Sequence, residues 1–294
     1  MKNIYAVLVA YNPEPGEVQK SILNLLKQCS KVVLCNNSSM PLPNVKETGN
    51  VKIFNFKRNL GIASAQSIGM TWAFEDGADF VLQMDQDSLL PSTMVSSLIS
   101  RYEELTTLGY KVGIIGPRHY DKITNTVDVS RLPKGRKVSG LNCEVVKETI
   151  SSACLISSEL FCQIGKMDDD LFIDLVDWEY CWRAKKHGYL TVRDNDLLLP
   201  HRVGNGITKL YGSIGARTPS PVRHYYHSRN VILMIPRGYV PLGFKVKNLF
   251  KLLIKLVVYP YKFSDGKVRF HYILKGILDG LKGKKGEINL QHHL

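Results

Sequence analysis

Across residues 4–85 the chain alternates short, unbroken apolar runs with stretches of helical spacing, and few architectures accept that order. "IYAVLVAY", "KVVLCNN", "VKIFNF" and "DFVLQMD" are strand-like, whereas "EVQKSILNLLKQC" and "GIASAQSIGMTWAFEDG" space their apolar residues for a helix face. Strands that are apolar on both sides need cover on both sides, which predicts an α/β fold with a mostly parallel central sheet flanked by helices. Ligands of such sheets bind beyond the carboxyl ends of the strands. Three polar turns, "AYNP", "CNNSS" and "DQDS", fall there, each directly after a strand.

A second block, residues 113–200, offers strands near "VGIIGP" and "ISSACLIS" and a helix near "VDWEYCWRAKKHG". Residues 202–221 are Gly-rich and polar, so a mobile loop is expected, and "RHYYHSRNVILMI" resumes helical order. The formal net charge is +13, and residues 236–294 hold 12 Lys and Arg against 3 Asp and Glu. There "VKNLFKLLIKLVVY" sets Lys247, Lys251 and Lys255 on one stripe at four-residue spacing, with apolar faces elsewhere. Such a tail suits an anionic membrane surface, or packs on the domain or a second copy of the chain. Nucleic acid is excluded as a partner, because no interleaved aromatic and basic surface accompanies the charge. No uncharged stretch is long enough to span a membrane and no leader opens the chain, so a cytoplasmic protein is expected, with the inner membrane surface as a docking place. The six cysteines show neither C-x-x-C pairs nor metal-finger spacing and read as small core residues in a reducing compartment.

Asp85 and Asp87, one residue apart at a strand end, can aim their oxygens at one point, where mutual repulsion calls for a cation. Hard divalent ions such as Mg²⁺ or Mn²⁺ fit carboxylates shared with substrate phosphates; the bland alternative is a solvated turn. "NLGIASAQSIG" gathers small residues where a helix begins, which suits either a phosphate or close packing on the sheet. In "LFIDLVDWEYCWRAKKHGY", Asp174, Asp177 and Glu179 precede Arg183, Lys185 and Lys186. That order favours the helix dipole, and it also offers a carboxylate as general base. His201 follows a strand as a candidate neutral ligand, and "RHYYHSRN" either binds a sugar or anion or packs.

The set of motifs, in this order and spacing over residues 4–235, resembles the inverting family 2 glycosyltransferases, and among them the bacterial rhamnosyltransferases of surface polysaccharides. The resemblance implies a GT-A fold, Rossmann-like, with a nucleotide-sugar half over about 1–112, an acceptor half over about 113–235 and a basic amphipathic helical tail over 236–294. It implies that Tyr11, Asn12, Asn36, Asn59, Gly61 and Asp85 meet the nucleotide-sugar, with Asn36 standing where the family usually has Asp. Asp85, Asp87 and His201 are implied for the metal, and Asp177 for the catalytic base, with Glu179 two residues on. Ser151, Ser152, Trp178 and Arg183 are implied on the substrate side, Ser-Ser replacing the usual Ser-Gly. The implied reaction moves a sugar, L-rhamnose from dTDP-rhamnose, to a hydroxyl of a lipid-linked, O-antigen-like polysaccharide intermediate. The alternatives are another nucleotide-sugar, UDP-glucose or UDP-galactose, or a noncatalytic glycan- or nucleotide-binding module.

Overall fold

The computed structural model describes residues 2–121, 135–201, 207–211, 214–217 and 219–289, with the side chains of 121, 201, 207–211 and 214–217 excepted. It divides into two compact units, residues 1–168 with 177–202 and residues 169–176 with 203–294.

The first unit is built on a nine-stranded sheet in the order β3-β2-β1-β4-β8-β5-β9-β7-β6. Its left side comprises β1 (Ile4–Ala10), β2 (Lys31–Asn36), β3 (Val51–Asn55) and β4 (Phe80–Asp85), all parallel. β8 (Cys154–Ser157) runs against both β4 and β5 (Val112–Asp121), and β9 (Leu190–His201) is parallel to β5. The edge strands β6 (Arg136–Lys137) and β7 (Cys143–Val146) close that side as an antiparallel pair. The mostly parallel sheet is therefore as expected, with reversals at β8 and β7.

Both faces of the left side are covered, which is why its strands are unbroken apolar runs. Ala6, Leu8, Leu34 and Leu82 share one apolar cluster with Ile22 and Leu25 of α1 (Glu17–Leu25) and Leu98 and Leu105 of α3 (Met94–Thr107). On the other face lies α2 (Gly61–Glu75), where a β-carbon on Gly69 would come within 2.6 Å of Val7 Cγ1 and 2.8 Å of Cys35 Sγ. Gly69 thus serves helix-on-sheet packing, the bland reading of the small-residue run. The short α4 (Ser158–Ile164), capped by Ser157 Oγ accepting from Leu160 N–H, and α5 (Val176–Lys186) complete the unit. Five of the six cysteines are buried, as expected for core residues, and Cys162 is exposed. Burial pushes the Cys29, Cys35 and Cys181 thiols up to about 12.

The second unit holds α6 (Pro221–Met234), α7 (Leu242–Lys262) and α8 (Gly266–Leu281), a 3₁₀ turn at Asp169–Leu171, and a hairpin of β10 (Ile207–Tyr211) and β11 (Ile214–Arg217). Of the loop expected over 202–221, residues 207–211 and 214–217 are strands, while 202–206, 212–213 and 218 lie outside the described residues; "ITKLY" carries the β-branched and aromatic residues that favour a strand. α6 joins the tail helices, so the compact units divide elsewhere than the expected boundary after residue 235. The cause is close packing on α8: a methyl on Gly276 would meet the Tyr225 carbonyl, and one on Gly280 would lie 2.9 Å from the Arg229 carbonyl.

Candidate active site

β1, β2 and β4 end side by side, with Ala10 opposite Asn36 and Val9 opposite Asp85. Because β8 runs the other way, its leading residues Ser151 and Ser152 come to the same edge; Ala153 N–H donates to the Gln83 carbonyl at 2.7 Å. β5 and β9 end there too, paired at Asp121 and His201. Asn36, Asp85, Ser151 and Ser152, with Tyr11 and Asn12 after β1, are thus gathered along one edge by topology alone.

The turns at this edge are tied to one another. Tyr11, half exposed, donates its N–H to Gln86 Oε1 at 2.6 Å, and Asn12 donates its own to Ser38 Oγ at 2.8 Å. Asn12 lies at φ 44°, left-handed backbone that asparagine tolerates better than most residues. Asn59 Oδ1 accepts from Asn37 Nδ2 and from Gly61 N–H, both at 2.9 Å, while Leu60 N–H donates to Asn37 Oδ1 at 2.7 Å. The first two amides entering α2 are therefore used inside the protein, and Gly61, at φ 81°, makes the bend that brings them there. Gln86, Ser38 and Asn37 brace the edge yet carry no sequence signal beyond their place in the polar turns.

Asn36 is buried, and its Nδ2 donates to the Met40 carbonyl and Asn55 Oδ1, each at 2.9 Å, while Ser38 N–H donates to its Oδ1 at 3.1 Å. A carboxylate could not donate the first two bonds. The departure from Asp thus has a physical reason: Asn36 braces the turn and the neighbouring strand.

Asp85 and Asp87 are both half-buried at the end of β4, and Ser88 Oγ donates to Asp87 Oδ1 at 3.5 Å. Asp177 opens α5 and accepts from the Trp178 N–H at 2.9 Å. Burial raises the Cys154 thiol, the neighbouring Cys181 adds, and the charges of Asp177 and Asp85 both push it higher.

Two of the expected site residues pair with each other. Glu179 is buried and paired with Arg183, Nε to Oε1 at 2.9 Å and Nη2 to Oε2 at 3.0 Å. Arg183 also donates to the Ile164 and Lys166 carbonyls at 2.5 and 2.8 Å. A two-pronged pair with further backbone partners is a structural clasp, and it holds Glu179 and Arg183 to each other. The i,i+4 spacing was the signal for it. Trp178 is half-buried and meets Trp182 edge-on, centroids 6.1 Å apart, and Trp182 donates its indole N–H to Glu148 at 3.0 Å. The Ser152 hydroxyl is buried without a hydrogen-bond partner among the described residues, and its carbonyl accepts from His119 Nε2 at 3.0 Å. Gln66 Nε2 approaches Ser151 Oγ at 3.4 Å. The His201 side chain lies outside the described residues. Among those described, no group of three or more His, Cys, Asp or Glu could hold a metal, leaving the Asp85 and Asp87 pair.

An open α/β sheet of this kind binds its ligands at the edge where these strands end, and the comparisons give the family. Residues 5–156 match the model of the glycosyl transferase family 2, and the chain belongs to that family of enzymes. It is 33% identical over 293 residues, 97% of its own length and 96% of the other's, to the dTDP-rhamnosyl transferase RfbF of Shigella flexneri. The fold is GT-A. The solved GalNAc-T7, with UDP, GalNAc and Mn²⁺, aligns over 96% of the chain at TM-score 0.58 and 14% identity. TarS of S. aureus aligns over 95% at TM-score 0.55 and 15% identity. The chain spans 56% and 54% of those two proteins, so the likeness speaks of fold alone.

Proposed function

We propose that the protein transfers L-rhamnose from dTDP-rhamnose to a hydroxyl of a lipid-linked polysaccharide intermediate, with inversion. The observation that supports the chemistry is the carboxylate pair Asp85 and Asp87 after β4, at the edge where β1, β2 and β4 end side by side. The donor reading rests on the RfbF relative, which matches end to end.

A neutral hydroxyl is a weak nucleophile, and a positioned carboxylate that takes its proton is worth about 10²–10⁴-fold. Asp177 receives that proton as the acceptor oxygen bonds the anomeric carbon. The bond from that carbon to the diphosphate oxygen breaks, and dTDP departs with its electron pair. One displacement of this kind inverts the centre. Asp85 and Asp87 fit a divalent cation, since Mg²⁺ and Mn²⁺ accept one or two carboxylates when substrate phosphates complete the shell. A bound cation would supply charge neutralisation for the departing diphosphate. Tyr11 and the braced turns at 36–38 and 59–61 form the wall against which the nucleotide lies.

Calorimetric titration with dTDP-rhamnose, UDP-glucose and UDP-galactose, each with and without Mn²⁺, tests the donor. Metal-dependent binding of dTDP-rhamnose alone is expected; preference for a UDP-sugar overturns the donor, and no binding favours a noncatalytic module. Asp177→Asn is expected to lower kcat about 10²–10⁴-fold while dTDP-rhamnose still binds.

A lipid-linked acceptor is supported by α7. The helix has no acid and turns Val246, Phe250, Leu253, Val257 and Tyr261 outward, Phe250 being 64% and Tyr261 88% exposed. Lys247 and Lys251 are exposed beside this face. Lys255, expected on the exposed stripe, is instead half-buried and over the Tyr259 ring, and burial with Lys251 nearby lowers its pKa to about 8. An apolar face flanked by lysines fits an anionic lipid surface. Co-sedimentation with phosphatidylglycerol vesicles, weakened by salt and lost in Phe250→Glu, is the expected result. A concentration-dependent dimer broken by the same substitution would assign the face to a second copy instead.

A further inference from the structure

The motif "RHYYHSRN", residues 223–230 on α6, takes no part in the chemistry so far. Its last two residues face an unusual piece of backbone. Phe172, Asp174 and Leu175 lie at φ 61°, 68° and 67°, left-handed conformations of residues that are neither glycine nor asparagine. Backbone of this kind persists only where its surroundings over-determine it, and it concentrates at functional sites. Val176 and Asp177 follow at once.

The surroundings are Arg229 and Asn230, both with no exposed surface. Asn230 Nδ2 donates to the carbonyls of Leu171, Ile173 and Asp174 at 2.9, 2.8 and 2.9 Å. Arg229 Nη2 donates to the Asp170 and Leu171 carbonyls at 3.2 and 2.9 Å, and its Nη1 to the Gly286 carbonyl. Asn230 Oδ1 accepts from Arg229 Nε and Nη2 at 3.0 and 2.9 Å, so each side chain fixes the other. Phe172 stacks on Tyr226 with centroids 4.8 Å apart and planes at 12°. Arg223 pairs with the Asp174 carboxylate.

We infer that Arg229 and Asn230 are positioning residues for Asp177. They satisfy the carbonyls of a segment that would not keep its left-handed turns alone, and by fixing residues 171–175 they fix where α5 begins. The inference rests on the reading of Asp177 as the base. A pair that merely held helices together would have no reason to spend its donors on four carbonyls, those of Asp170, Leu171, Ile173 and Asp174, of one loop before a carboxylate. Small displacement of a reacting group costs about 10²-fold in rate, which sets the scale of the effect.

Turnover is read as dTDP released from dTDP-rhamnose, with water or an added lipid-linked glycan as acceptor. Asn230→Ala is expected to lower kcat about 10²-fold with the donor KM within about twofold. The double variant Asn230→Ala/Asp177→Asn is expected to be no slower than Asp177→Asn, because both losses pass through the same carboxylate. Arg223→Ala, at an exposed position that spares the core, carries the test should Asn230→Ala fail to fold: kcat falls severalfold and KM holds. A dead Asp177→Asn beside clamp variants of unchanged kcat overturns this inference alone. An active Asp177→Asn overturns the base reading and this inference with it. Multiplying losses in the double variant would also overturn it, since the clamp would then act elsewhere.

Discussion

The two compact units differ in how their buried polar groups are set. The sheet unit encloses one broad apolar cluster, including Leu8, Leu34, Leu82, Leu98 and Leu105, beside buried polar groups such as Glu179, Arg193 and Asp194. The helical unit has an apolar cluster of three buried residues, Phe172, Tyr225 and Tyr226, buries further apolar side chains such as Val231, Met234, Leu252 and Ile273, and sets among them His224, Arg229, Asn230, Asn248, Arg269 and Asp279. Each of these has partners. Arg269 donates to the Pro219 carbonyl at 2.7 Å, reaches His224 Nε2 at 2.9 Å and forks onto Asp265, while Tyr225 donates its hydroxyl to Asp279 at 3.0 Å. Apolar contact is non-directional, whereas a buried hydrogen-bond network specifies one arrangement and is costly when a member fails. The sheet unit therefore gains tolerance, and the helical unit gains the definition needed to hold a strained loop.

That contrast can be broken in three ways. The largest effect is expected at Gly276, where an added methyl meets the Tyr225 backbone, which has no room to yield. Gly276→Ala should cost about 3 kcal/mol in urea unfolding, the upper end for overpacking.

Acid comes next. The Arg269 guanidinium can only donate, so His224 Nε2 accepts and the ring is neutral. Burial, with Lys255 and Arg269 adding, lowers His224 to about 3, and burial likewise lowers His227 to about 3. Folded-state values below the ordinary 6.5 mean that the unfolded chain takes up protons first as pH falls. The stability held by these neutral rings is complete above 6.5 and is lost progressively toward 3, about 2 kcal/mol for His224 by pH 5. Trp72, Trp178 and Trp182 all lie in the sheet unit. On acidification, far-ultraviolet helix signal should therefore fall before tryptophan emission shifts, and His224→Gln should bring the two together. Simultaneous transitions in the wild type would dissolve the contrast.

The smallest effect is expected at Gly69, where a methyl meets the side chains of Val7 and Cys35 rather than backbone. Gly69→Ala should cost about 1 kcal/mol, and a loss larger than that of Gly276→Ala would reverse the ranking.

The same division explains what could be read in the chain beforehand. Strands β1, β2 and β4 were legible because burial on both faces writes an unbroken apolar run, and the ligand edge followed from where those runs stop. Asp85, Asp87 and Asp177 stand out in the sequence as acids after a strand and at a helix start. The i,i+4 spacing of Glu179 and Arg183 already describes their clasp. Asn36 looked like a defect because its donors to Met40 and Asn55 depend on a turn and a neighbouring strand that spacing does not reveal. The clamp was the least legible part. Left-handed backbone is announced in sequence by glycine, and Phe172, Asp174 and Leu175 give no such notice; their partners sit more than 50 positions away.

The cysteine distribution has a practical consequence. With Cys162 alone exposed among six, a thiol-directed label added to the native protein should attach at one place, on α4 of the sheet unit. The other five thiols become reactive only when their surroundings open, so counting labels over time clocks the breathing of the sheet unit while leaving the cysteine-free helical unit silent.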